Sequence, residues 1–388
     1  TPAQPQQVFT VCGGADVIVH NCDGREDRPF YLFDLKGENL QRHTLSLTRE
    51  DVLELSAGAR LEVELTPGHQ RELPRQVGEL LTDPAKVVWE YSHGESWQPF
   101  STCALEGSRV VLGLGERQLP VTPSALPGLE GRRWLRLRLL DGTVPPPFTL
   151  RLVRLSARNQ DLLPDLVHAS GADQDVHAFL PFGEQLGLFA EAYFGCGEAL
   201  VKRGADIEMT FQLDFDAIPV EQTGPEQAIR WKLIMKKSDF RPDDEYDIAI
   251  QEVIWEYFNG DGWARLFPDG RESDCFNASL GALGRQRTIR FRCPEDIRPV
   301  LVNANTGYFI RARVLKVRNL YKLKGNYIVP RMEKLRFSYR YTGRGRVPGR
   351  LLLENNRETQ CLEGSYFRGG DGVFTPFAFL EEERSALY

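Results

Sequence analysis

Residues 253–263 read VIWEYFNGDGW, and residues 87–97 read VVWEYSHGESW. In both, two apolar residues lead into Trp-Glu-Tyr, and a second tryptophan closes the stretch at the same spacing: Trp89 and Trp97, then Trp255 and Trp263. Asn259, Gly260, Asp261 and Gly262 tolerate the positive φ that a tight hairpin needs, so the motif reads as a β-hairpin present twice. If the turn centres on Asn259–Gly260–Asp261, Trp255 and Trp263 stand on one face as a cross-strand aromatic pair. Burial of each then contributes on the order of 2–3 kcal/mol. The spacing survives although the residues between have changed, which favours packing. Exposed indoles offering a platform to sugar rings are the alternative.

Outward from the hairpins, more of the chain repeats. GARLEVEL (58–65) matches GADIEMTF (204–211), and WLRLR (134–138) matches FIRARV (309–314), so Arg136 falls on Arg311 and Arg138 on Arg313. Each copy closes with an alternating run, LRLVRLS (150–156) and LRFSYRY (335–341). FLPFGEQLGLFAEAY (179–193) and FTPFAFLEEERSALY (374–388) share Pro-Phe and a final Tyr, so a third copy is expected to begin at the tail, as in a piece of a longer protein.

Period-two alternation with frequent Gly, Asn and Asp turns points to a mainly β chain of tandem antiparallel β-sandwich domains, jelly-roll-like, with little helix. The one helical turn expected lies at 50–56, after a Thr48 cap. The expected organisation is an N-terminal extension (1–22), repeat one (23–160), a linker (161–178), repeat two (179–345), and a linker with the start of a truncated third repeat (346–388).

The chain has 388 residues, with 48 basic and 54 acidic side chains and a net charge of −6. That balance provides no electrostatic footprint for nucleic acid and no polybasic run for a membrane, and no apolar run approaches the ~20 residues of a membrane-spanning helix. The cysteines at 12, 22, 103, 196, 275, 293 and 361 lack CxxC spacing and read as free thiols of a reducing compartment, with Cys12 and Cys22 the one pair that a hairpin could bring together. Histidines 20, 43, 69, 93, 168 and 177 are dispersed, with no HExxH, and no serine stands in a GxSxG elbow. GLGE (113–116) is not a dinucleotide fingerprint, and the acids of 241–247, Asp261, Asp269 and Asp274 do not form a calcium loop. Arg136, Arg138, Arg151, Arg154, Arg290, Arg292, Arg311 and Arg313, on alternating strands, read as the solvated face of a sheet or a face toward a neighbouring subunit. No catalytic, cofactor-binding or metal residue is assigned, and the expectation is a non-enzyme without cofactor.

The second copy also resembles a family. Pro181, Phe182, Tyr193, Gly195, Gly204, Ala205, Trp255, Glu256, Tyr257, Gly260, Gly262, Trp263, Pro294, Glu295, Asp296, Gly307, Tyr308, Ile310, Arg311, Ala312 and Arg313 follow the pattern of baseplate assembly proteins of phage-tail-like contractile injection systems. The likeness covers mainly residues 175–345. Phe309 departs from the family's Trp, which copy one keeps as Trp134, and copy one lacks the Pro-Glu-Asp. The resemblance implies a structural component of a baseplate, made in the bacterial cytoplasm and built into a tail-like particle, whose partners are other baseplate subunits. The alternative is a carbohydrate-binding β-sandwich module on a surface or rim protein.

Overall fold

The computed structural model describes residues 7–12, 16–21, 43–68, 72–140, 143, 146–220, 247–270, 275–276, 286–321, 325–341, 345–346, 348–355, 358–363 and 377–380. The chain is mainly β, with several sheets and little helix. It divides into two compact units, one of residues 1–157 with 343–388, the other of residues 158–342.

The N-terminal strands β1 (Gln7–Cys12) and β2 (Asp16–Asn21) pair only with each other among the described residues. Their register sets Cys12 opposite Asp16 and Gln7 opposite Asn21, so Cys12 sits at the turn end and does not face the far end of β2. Cys22 lies outside the described residues.

The first unit continues with β3 (His43–Thr48), the one-turn helix α1 (Glu50–Leu53) and β4 (Arg60–Pro67). After helix α2 (Arg75–Thr82) come β5 (Val87–His93), β6 (Ser96–Pro99), β7 (Thr102–Glu106), β8 (Arg109–Gly113), β9 (Trp134–Leu139) and the long β10 (Phe148–Leu162), whose end belongs to the second unit. The α1 turn falls where expected, but Thr48 closes β3 and Arg49 is the N-cap, without a side-chain cap bond.

The second unit holds β11 (Leu166–Ala169), β12 (Ala172–Asp173), β13 (Ala178–Phe179), β14 (Glu191–Gly195), α3 (Gly197–Leu200) and β15 (Asp206–Pro219). Then follow β16 (Ile248–Phe258), β17 (Trp263–Arg265), β18 (Gln286–Arg292), β19 (Val300–Val302), β20 (Asn305–Gly307), β21 (Phe309–Arg318) and β22 (Asn326–Arg340). The tail adds β23 (Arg350–Asn355), β24 (Glu358–Glu363) and β25 (Phe377–Leu380).

The two units share one topology. In the first, β9 lies between β3 and β5, β5 carries β6, and β4 lies between β8 and β10. In the second, β21 lies between β14 and β16, β16 carries β17, and β15 lies between β18 and β22. Gly58 and Gly204 explain the paired Gly-Ala that opens β4 and β15. Both glycines have left-handed backbone (φ 84° and 76°), and the alanine after each is fully buried. Leu114 N–H donates to the Ala59 carbonyl while its own carbonyl accepts from Gly58 N–H, and Cys293 makes the same two bonds with Ala205 and Gly204.

The apolar faces of β4, β9 and β15 turn into the core of their unit, as alternation requires. Leu61, Val63 and Leu65 of β4 and Leu135, Leu137 and Leu139 of β9 are buried in the first unit; Ile207, Met209 and Phe211 of β15 are buried in the second. There Phe194 on β14, Trp255 on β16, Phe276 and Phe211 on β15 form a chain of rings with centroids 5.6 to 6.1 Å apart, joining β14 and β16 to β15 through the core.

Two expectations about organisation change. Residues 161–178, expected as a linker, carry the end of β10 and the hairpin β11–β12, which pairs with β14. Residues 346–388, expected to open a third copy, instead complete the first unit: β23 pairs along β3, β24 along β23, and β25 with the start of β10. Their places match those of β11, β12 and β13 in the second unit, where β13 pairs with β22. The pairing of β25 with β10 begins at Phe377 of the shared Pro-Phe, whereas β13 pairs with β22 just ahead of Pro181-Phe182. The first unit is a circularly permuted version of the second.

Candidate functional site

The duplicated hairpin places its two tryptophans on opposite faces. In the second copy Phe258 is opposite Trp263, Tyr257 opposite Ala264, and Leu266 N–H donates to the Trp255 carbonyl. In the first, Ser92 is opposite Trp97 and Phe100 N–H donates to the Trp89 carbonyl. Four residues, Asn259 to Gly262, separate the paired ends, and the Asn259 side-chain oxygen accepts from the N–H groups of Asp261 and Gly262. A turn of that length shifts the register by one from the expected centre, which moves the second tryptophan to the other face. The cross-strand tryptophan pair does not form.

Trp89 and Trp255, 4% and 2% exposed, are core residues. Trp89 Nε1 donates to the Leu81 carbonyl at the end of α2, 2.9 Å away, whereas Trp255 Nε1 has no partner among the described residues. Tyr257 is tied to the Pro-Glu-Asp turn by its hydroxyl, 3.1 Å from Asp296 Oδ1; Tyr91, in the copy without that turn, donates to the Leu119 carbonyl instead.

The outer face carries the same three-residue assembly in each unit. The Arg136 guanidinium stacks on Trp97, 4.0 Å from the ring centre, and Arg311 stacks on Trp263 at 4.2 Å. Glu90 accepts from Arg136 at 2.7 Å with Arg138 3.6 Å away. Glu256, 3% exposed, accepts from Arg311 at 2.8 Å and Arg313 at 2.9 Å. The strand arginines thus divide. Arg290 pairs with Glu208 on an exposed surface, as expected of a solvated face, but Arg311 is only 8% exposed, sandwiched between indole and carboxylate. Arg292 donates to the Gly204 carbonyl, and the Arg151 side chain lies outside the described residues.

In the second unit this assembly extends further. Arg311 also reaches Glu191 at 2.9 Å, the Tyr193 hydroxyl donates to Glu191, and the Tyr193 ring meets Trp263 edge-on at 5.5 Å. Beyond it His168 Nδ1 lies 2.8 Å from Asp173 Oδ1, which also accepts from Asn303 Nδ2 at 2.9 Å. Asn303 and then His168 hold the Asp173 carboxyl below its ordinary range. A cleft of about 330 Å³ opens here, lined by His168, Ser170, Gly171, Phe189, Ala190, Glu191 and Tyr193. Phe189 stands at the cleft with left-handed backbone (φ 64°) and 61% exposure. In the first unit the positions of Tyr193 and Glu191, opposite the two arginines, hold Ser46 and Thr44. Sequence reading missed Glu191, Phe189 and the His168–Asp173 pair. Glu191 and Tyr193 share a strand face opposite Arg313 and Arg311, a pairing legible only once β14 is set beside β21.

Among the described residues no group of three or more His, Cys, Asp or Glu side chains could hold a metal ion, and no helix is long and apolar enough to cross a membrane. Asp261 and Asp269 lie in turns; residues 241–246, His69 and Asp274 lie outside the described residues. Cys103 and Cys196 are free thiols, the Cys293 thiol donates to the Leu200 carbonyl, and burial raises the Cys103 pKa to about 11. The chain matches no protein-family model, and no curated protein matches it in sequence.

Proposed function

We propose that this chain is a structural, non-enzymatic assembly component of the baseplate of a phage-tail-like contractile injection apparatus, acting through contacts with other baseplate subunits. The observation that carries the reading is the Trp-Arg-Glu assembly built twice on the outer sheet face, Trp97–Arg136–Glu90 and Trp263–Arg311–Glu256. It clamps three neighbouring strands of each unit without reserving a reactive group. A contractile particle needs rigid modules of that kind, and an outer face carrying Trp, Tyr and Arg has the composition of a protein interface. Deleting the reading frame from a strain that makes such particles, and imaging what assembles, tests the proposal. Loss of the baseplate, with the polypeptide present in the wild-type particle, is the expected result; intact particles that never contained it would overturn the reading.

A saccharide-binding module is the second reading, and Phe189 is the observation that favours it. An exposed ring beside His168, Ser170 and Glu191 offers one apolar face and several hydroxyl-binding groups. The indoles of Trp97 and Trp263 are poorer candidates, since each has a guanidinium stacked on it. Binding on a glycan array that disappears with Phe189→Ala and persists with Trp97→Ala would favour this second reading.

A further inference from the structure

The segment that completes the first unit reaches it only after the chain has built the second. β23 lays six residues along all six of β3, from Arg350 opposite Thr48 to Asn355 opposite His43, and buries Leu351 and Leu353. In the second unit the matching hairpin β11–β12 follows directly on β10 and pairs with β14, further along the chain. One rule covers both: the hairpin after a closing strand docks on the first strand of a unit. After β10 that unit lies downstream; after β22 it is the upstream unit of the same chain.

We propose that the β3 edge of the first unit is an acceptor for strand β23 of a second copy of this chain, so that copies link by exchanging it. The second copy suits the site because it carries the very segment seated there, with the same ladder and the same buried leucines. Exchange therefore requires no new complementarity, and the connecting residues and the protein concentration decide between the two arrangements. Those residues, Tyr341 to Gly349, read YTGRGRVPG, with three glycines and a proline. Next to β23, Arg346 and Leu155 exchange two backbone bonds of 2.7 Å, and Gly349 N–H donates to the Thr48 carbonyl. This inference stands independently of the baseplate reading, because it concerns only how copies of the chain meet.

Full-length chains carrying either Ser46→Cys or Leu352→Cys, positions directly opposite each other, test it. Both also carry Cys361→Ser, because Leu352 stands opposite Cys361 on its other side and a thiol there would compete. The two are unfolded together, refolded over a range of concentrations and oxidised, with each variant alone as control and light scattering in parallel. The expected result is a species of doubled mass containing both variants, covalently joined in the mixture and beyond the level of either variant alone, its yield rising with concentration. Monomers at every concentration would overturn the proposal. So would dimers in the mixture whose introduced thiols at positions 46 and 352 stay unjoined, since that places the dimer contact elsewhere.

Discussion

Trp89 and Trp255 occupy the same place in two copies of one unit, yet their indole N–H groups meet different fates. Trp89→Phe leaves the Leu81 carbonyl with only the weak Cys103 thiol as side-chain donor, whereas Trp255→Phe removes an N–H that has no partner among the described residues. We therefore expect Trp89→Phe to destabilise its unit by about 0.5–1.5 kcal/mol more than Trp255→Phe, the usual net worth of one hydrogen bond. Hydrogen exchange of β5 and β16 amides reads the two units separately; equal losses would contradict the assignment. Glu256 carries more weight than either. Its carboxylate holds two guanidiniums at 3% exposure, and Glu256→Gln leaves Arg311 with Glu191 alone and takes the carboxylate from the part-exposed Arg313, so a cost of about 1–3 kcal/mol is expected. Urea unfolding followed at Trp263 checks this. Gly195 is a subtler requirement. A Cβ there would lie 2.7 Å from a Phe309 ring carbon, so the glycine is what lets Phe309 pack against β14.

The connection from β14 through α3 to β15 concentrates buried titratable groups. Cys196 caps α3 at 2% exposure, and burial, then the Asp165 charge, push its thiol far above the ordinary value. Tyr339 on β22 donates to Glu198 Oε1 at 2.8 Å, and burial with the Glu198 charge raises its hydroxyl likewise. Both groups are held neutral in the fold. The unfolded chain releases these protons near 9.0 for the thiol and 10.0 for the phenol, while the folded chain keeps them. Their contribution is complete below those values and is lost as pH rises, so thermal stability should fall as the pH is raised above about 9. Cys196→Ala should flatten part of that slope in a series of melts, and an unchanged slope would show that the thiol is not a source of it. The hairpin strands make a related point about register. Their alternation is plain in the letters, but the face each residue takes depends on how many residues the turn holds, and a count of four reverses the second tryptophan.

The permuted first unit carries the widest consequence. Removing residues 343–388 takes away strands that follow the second unit in sequence but belong to the first in space. Truncation after Thr342 should therefore strip protection from β3 and β9 while leaving β14, β16 and β21 as in the full chain. Taking Leu351 and Leu353 out of the first unit's core costs about 1.5–3 kcal/mol for each buried leucine. Exchange mass spectrometry on the two proteins reads this directly; uniform loss across both units, or loss confined to the second, would refute the assignment of strands. A first unit that depends on a late segment also acquires contacts of large sequence separation, which slows its closure relative to the continuous second unit.

The sequence by itself settled the β character, the two copies, the Gly-Ala openings and the matching of Arg136 with Arg311, because these rest on period, spacing and residue type within short windows. It placed Glu256 and Arg311 on matching strands without showing that they meet. Which tryptophan turns inward, that Glu191 and Tyr193 join the second unit's network, and that the tail closes the first unit were decided only in three dimensions. Strand pairing is a contest among edges far apart in the chain, and local alternation holds no information on which edge is left open.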